Sequence, residues 1–201
     1  MVNQWQEKSL VKLHPKAKDL SFEYKYVIQN IFKKNIAGIL GIDYFSLLMI
    51  DNSNILTCYS NTPALEFNLI TSGLWMHDGL FALENHKNGD FVFWDDLYSH
   101  PLKNILKREK QTNFKIQFGF VLMKQTSDFF LIYSFATKTQ QEKELYRQSK
   151  EILMKIGDYF LHEMTVWGAS RSFSPRPSLL PKTSPFLKLV VDNTQCKTSS
   201  R

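Results

Sequence analysis

The residues of this chain that could do chemistry are a lone acid, a tryptophan and two strand tyrosines. Asp78 in MHDG can accept directional hydrogen bonds from a bound molecule, or it can cap the short helix that follows. Trp94 in VFWDD offers an indole N–H to a pocket wall, or anchors a sheet as a core ring. Tyr59 and Tyr133 carry hydroxyls on predicted strands, and a buried hydroxyl requires a partner. This set suits recognition of a small molecule, not a reaction. Asp95 and Asp96 are adjacent and point apart, which makes them weak partners for acid–base work. Cys58 has no base beside it in sequence and reads as an inert strand residue. His14, His77, His86, His100 and His162 show no ligand spacing, so no metal is expected. The chain has neither a Gly-rich phosphate loop nor a G-x-S-x-G elbow. No catalytic residue, no cofactor and no enzymatic activity are expected.

A sheet and its flanking helices must hold these side chains. From Leu20, the apolar positions Leu20, Tyr24, Val27 and Ile31 mark one helix face, and Gly38 and Gly41 punctuate its end. Residues 44–50 are apolar on both faces, which predicts a central strand. Asp51-Asn52-Ser53-Asn54 supplies turn chemistry, and residues 55–59 return as the hairpin partner. Pro63 opens a short helix carrying Leu65, Leu69 and Ile70. Residues 91–94 predict a short strand. Residues 101–111 predict a charged helix with Leu102, Ile105 and Leu106 on one face. Two long strands follow, with Ile116, Phe118, Phe120 and Leu122 in one and Phe129, Leu131, Tyr133 and Phe135 in the other. The last helix, residues 140–164, shows a stripe of Leu145, Ile152, Ile156, Tyr159 and Phe160. Rings on the strands, including Tyr44, Phe45, Phe118 and Phe120, are core side chains, or line a pocket where one exists.

The composition sets the class. Of 201 residues, 43% are hydrophobic, enough to build a core. Nearly all of the +6 net charge lies in residues 166–201, where six Arg and Lys face one acid, Asp192. The basic charge is therefore no evidence for a nucleic-acid-binding face on the folded body. That tail is rich in Ser and Pro and reads as disordered. Residues 1–18 read as a leader and 19–165 as the folded domain. Cys58 and Cys196 are too few and too distant for a disulfide framework. No apolar run approaches the roughly 20 residues that span a bilayer. A cytoplasmic protein without a membrane partner is expected.

A helix, an antiparallel sheet of five strands and helices on both faces make an α+β sandwich of PAS- or GAF-like form. The element order and the FVFWDD segment resemble the signal-binding domain of LuxR-type quorum-sensing regulators, over residues 20–165. Asp78, Trp94 and Gly119 of QFGF stand where that family carries an acid, a Trp and a Gly. The resemblance implies a ligand-binding role for these three. It differs in Gly79, where the family has Pro after the acid. It also differs at Leu65 and Leu69, where the family brackets a lactone head group with Trp and Tyr. An apolar corner there points to a small apolar signal other than an acyl-homoserine lactone, or to no ligand.

The family continues into a helix-turn-helix domain, whereas only the Pro/Ser-rich tail follows here, so sequence-specific DNA binding is not expected. The resemblance implies a small-molecule-sensing regulatory domain, truncated, acting as a homo- or heterodimer through its last helix. The alternative is a ligand-free interaction module that pairs with a full-length regulator. Cavity volume beside Asp78 and Trp94 discriminates between the two.

Overall fold

A computed structural model describes residues 11–98 and 101–169. By compactness the chain divides into Met1–Met164 and Thr165–Arg201. The architecture that follows is that of the first unit. Beyond Ala169, the tail expected from residue 166 lies outside the described residues.

Six strands form one sheet in the order β1-β3-β2-β6-β5-β4. The central strand is β2 (Tyr44–Asp51), as its two apolar faces predict. It pairs antiparallel with β3 (Ile55–Ser60) and with β6 (Phe129–Thr137). β5 (Phe118–Gln125) then pairs with β6, and β4 (Phe91–Phe93) closes the far edge. The β2–β3 turn is built by Asp51, whose Oδ1 accepts from the backbone N–H of Ser53 and Ile55. Asn54 there takes the left-handed conformation at φ 59° that Asn tolerates.

The expected five antiparallel strands are all present. The sheet gains a sixth, β1 (Lys12–Leu13), which runs parallel to β3. A strand of two residues carries too little pattern to read. It also lies inside the segment expected as a leader.

Strand alternation divides the side chains between two faces. On one face lie Tyr44, Ser46, Leu48, Cys58, Gly119, Val121, Ile132 and Ser134, which the pairing register aligns. This face is covered by α3 (Pro63–Thr71), α4 (Trp94–Leu97), α5 (Lys103–Lys110) and three short 3-10 turns between residues 74 and 85. On the other face lie Phe45, Phe93, Phe118, Phe120, Tyr133 and Phe135. It packs against α6 (Lys143–Gln148) and α7 (Lys150–Ala169). At the β3 side, α1 (Ala17–Glu23) sets Tyr24 edge-on to Tyr59, and α2 (Lys25–Asn35) buries Ile28, Ile31 and Phe32. Ile28, not the expected Val27, is the residue that goes under.

The last helix differs from its predicted stripe. A turn residue, Ser149, separates α6 from α7, and Tyr146, Leu153, Ile156, Phe160 and Met164 are buried, Ile156 and Phe160 as expected. Leu145 and Ile152, expected on the inner face, are 40% and 53% exposed.

Candidate functional site

A cavity lies between the first face of the sheet and α3. Leu48, Leu56, Leu65, Leu69, Leu80 and Phe81 supply its apolar wall. Its inner end is polar: Tyr44, Ser46, Glu66, Asp78, Lys110 and Ser134 converge there. The cavity volume is about 30 Å³, room for about one or two water molecules.

The elements place these groups for clear reasons. Pro63 at the start of α3 suits a first helical turn, whose N–H has no helical partner to lose. One turn on, Leu65, Glu66 and Leu69 fall on the inner side, so the carboxyl enters with the leucines. Leu106 and Lys110 are four apart on α5 and both face inward, with Lys110 only 2% exposed. Asp78 follows the 3-10 turn Leu74–His77 and bridges to Tyr98 as an isolated antiparallel pair.

Every polar atom in this corner has a partner. Asp78 does both things its sequence allowed. Its Oδ1 caps the turn Gly79–Phe81 by accepting from the Leu80 N–H at 3.2 Å, and its Oδ2 accepts from Lys110 Nζ at 2.7 Å. Both side chains of this ion pair are 3% exposed. The Lys110 ammonium also lies over the Trp94 ring, 4.3 Å from its centre, and 5.3 Å from that of Tyr98. The Tyr98 hydroxyl accepts from Gln111 Nε2 at 3.1 Å. Glu66 accepts a short hydrogen bond from the Tyr44 hydroxyl, which also contacts Ser46 Oγ at 2.9 Å. Burial pushes the Glu66 carboxyl up, opposed by the Tyr44 bond and by the positive charge of Lys110. Burial and the nearby Glu66 charge hold the Tyr44 phenol well above its ordinary value, so it is a donor. Among the described residues, no buried side-chain nitrogen or oxygen lacks a hydrogen-bond partner.

Trp94 opens α4 directly after β4, is fully buried, and donates from Nε1 to Ser134 Oγ at 3.0 Å. Tyr44 meets its ring edge-on at 5.5 Å. The indole lies flat on Gly119: a Cβ there would be 2.2 Å from the ring. The glycine is therefore required because the tryptophan occupies the space of its side chain.

The structure thus brings Asp78, Trp94, Gly119, Leu65 and Leu69 together on one side. Tyr59 and Tyr133 are elsewhere. Their neighbours Cys58 and Ser134 face the cavity, so the period of two turns both tyrosines to the opposite face. Tyr133 donates to Asp158 Oδ1 of α7 at 2.7 Å, and its ring lies against Gly157, where a Cβ would be 2.4 Å away. Burial raises the Tyr59 phenol, packed against Tyr24. Neither tyrosine reaches the cavity.

Sequence reasoning did not single out Lys110, Glu66, Ser46 or Ser134. A helical signal for Lys110 existed, because it stands four residues after the apolar Leu106. The serines had the strand period, since each alternates with core residues on the cavity face. Among the described residues no group of His, Cys, Asp and Glu is arranged to hold a metal ion, and no helix is long and apolar enough to cross a membrane.

Fold and site define an α+β sandwich with a roofed apolar cavity and an internally paired polar end. The sequence matches no family model and no curated protein. Solved structures do resemble it. The VqsR LBD domain from Pseudomonas aeruginosa is 14% identical with a TM-score of 0.45, over 74% of this chain and 92% of that one. Escherichia coli SdiA is 16% identical with a TM-score of 0.48, over 86% and 68%. SdiA in complex with octanoyl-rac-glycerol is 16% identical with a TM-score of 0.47, over 76% of this chain and 62% of that one. These neighbours are LuxR-type autoinducer-binding domains.

Proposed function

We propose that this chain is a small-molecule-sensing regulatory domain of LuxR type, with the cavity under α3 as its signal site. The observation that supports this reading is the lining of the cavity, where leucines and Phe81 stand with the polar groups of Tyr44, Glu66, Asp78 and Lys110. An apolar guest would lie along Leu65 and Leu69 and direct its polar end at Asp78. Its entry requires α3 and the 3-10 turns to move outward, since about 30 Å³ holds no such molecule. Binding would stabilise the domain by RT ln(1 + [L]/Kd). The exposed Leu145 and Ile152 of the last two helices supply a dimer surface. A cytoplasmic setting belongs to this reading, because two distant cysteines suit a reducing compartment.

The test is native mass spectrometry of protein purified from its source, with thermal shift against lipophilic extracts. A bound mass and a raised melting temperature are expected in the wild type, and both are lost in Leu65→Trp, which fills the cavity. A ligand-free protein with no shift would sink the reading.

The small volume favours a second reading, in which the domain is a ligand-free interaction module that pairs with a full-length regulator. Under it, Leu65→Trp leaves function intact, and light scattering on a mixture with that regulator shows a heterodimer.

A further inference from the structure

The polar corner has the composition of a binding site for an organic cation. Asp78 receives the ammonium of Lys110 at 2.7 Å, and the faces of Trp94 and Tyr98 lie 4.3 and 5.3 Å from it. Glu66 adds a second carboxyl whose field reaches the same ammonium. A carboxylate with ring faces around a cation is how proteins hold alkylammonium groups out of water. Here the occupant belongs to the chain.

We propose that Lys110 is a tethered ligand: the corner is an ammonium-binding cage, filled by the protein's own side chain, that takes a free primary alkylammonium when the tether is removed. The proposal goes beyond the sensing reading and does not depend on it. In the wild type, the tether gives the Lys110 ammonium an effective concentration in the millimolar range or above, so free amines do not compete. The corner is thereby held in its occupied form without any ligand. Lys110→Ala keeps Cβ and removes the atoms of a propylammonium, which leaves space for ethyl- or n-propylammonium beside Asp78.

The experiment is thermal unfolding of full-length wild type and Lys110→Ala, titrated with n-propylammonium, 1-propanol and propionate. The variant should melt lower than wild type and be restored by the amine alone. At an amine concentration ten times its Kd, its folding constant should rise about elevenfold. The wild type should not respond. Equal responses in both proteins, or equal rescue by the alcohol, would overturn the proposal.

Two measurements keep the test decisive should Lys110→Ala fail to fold. One is reductive methylation of native wild type read by peptide mass spectrometry. Lys110 should stay unmodified while the exposed Lys103 and Lys107 react, and modification at their rate would show that no closed cage exists. The other is the neutral double variant Lys110→Ala/Asp78→Asn, which should lose the preference for amine over alcohol. A retained preference would mean that Asp78 does not define the site.

Discussion

The two faces of the sheet solve burial in different ways. The face under α6 and α7 is filled with rings. Phe120 stacks on Phe91 and Phe135, at 5.1 and 5.5 Å, and Phe45 meets Phe160 at 4.6 Å. The face under α3, α4 and α5 carries shorter aliphatic side chains, a tryptophan on a glycine, and a knot of buried charges. The first face is held by packing, where any gap is felt. The second packs a cluster of aliphatic side chains and adds a buried ion pair, where loss of one partner strands another in a medium that does not solvate it. The polar face is therefore the one with chemical selectivity, and the ring face is the rigid support behind it.

The sharpest way to break this contrast is to cut each face once. Phe120→Ala should cost about 4 kcal/mol, since a fully buried ring leaves a cavity that the sheet cannot collapse into. A fall in the urea midpoint at unchanged m-value measures it. Asp78→Ala should cost about 3 kcal/mol, because Lys110 is left as an unpaired buried cation. The double variant Asp78→Leu/Lys110→Met should recover most of that loss, a recovery that no second substitution on the ring face would produce.

Gly119→Ala should cost about 1–3 kcal/mol by overpacking against Trp94. Trp94 must then leave Ser134, and near-ultraviolet circular dichroism should report the change. Tyr133→Phe should cost under about 1 kcal/mol, because its partner Asp158 is partly exposed and keeps Lys124 at 2.6 Å. A larger loss than Gly119→Ala would contradict the assignment of Tyr133 to the ring face.

The smallest effect is one of pH. The Glu66 carboxyl is raised above its ordinary 4.5 in the fold, so the folded state binds its proton more tightly than the unfolded state does. The stability this contributes is fully present below 4.5 and is lost as pH rises through the folded value. Glu66→Gln should therefore gain on the wild type as pH is raised across that window. Denaturation at several pH values measures the gain, and a variant that loses ground on raising pH would reverse the sign.

Much of the architecture was legible along the chain. Period-two patterning with turn residues between strands specifies a hairpin locally, so the β2–β3 and β5–β6 hairpins were found, whereas the β2–β6 pairing that joins them was not. Asp78, Trp94, Gly119, Leu65 and Leu69 were legible as a group, because spacing along the chain resembles that of a known family. Tyr59 and Tyr133 were misplaced through their chemistry. A hydroxyl on a strand does not declare its face, and only the register against Cys58 and Ser134 turns it away from the cavity.

The amino-acid order alone determined two antiparallel hairpins and the helices around them, since alternation and turns act between near neighbours. It did not determine what fills the corner. Lys110 reads as one more charge on a charged helix, and Glu66 was not singled out on the helix that carries Leu65 and Leu69. Only the packing of α3 and α5 onto one sheet face brings residues 66, 78 and 110 within reach of each other. Burial then turns three surface-type side chains into an ion pair and a hydrogen-bonded carboxyl, because inside the protein no water is left to satisfy them.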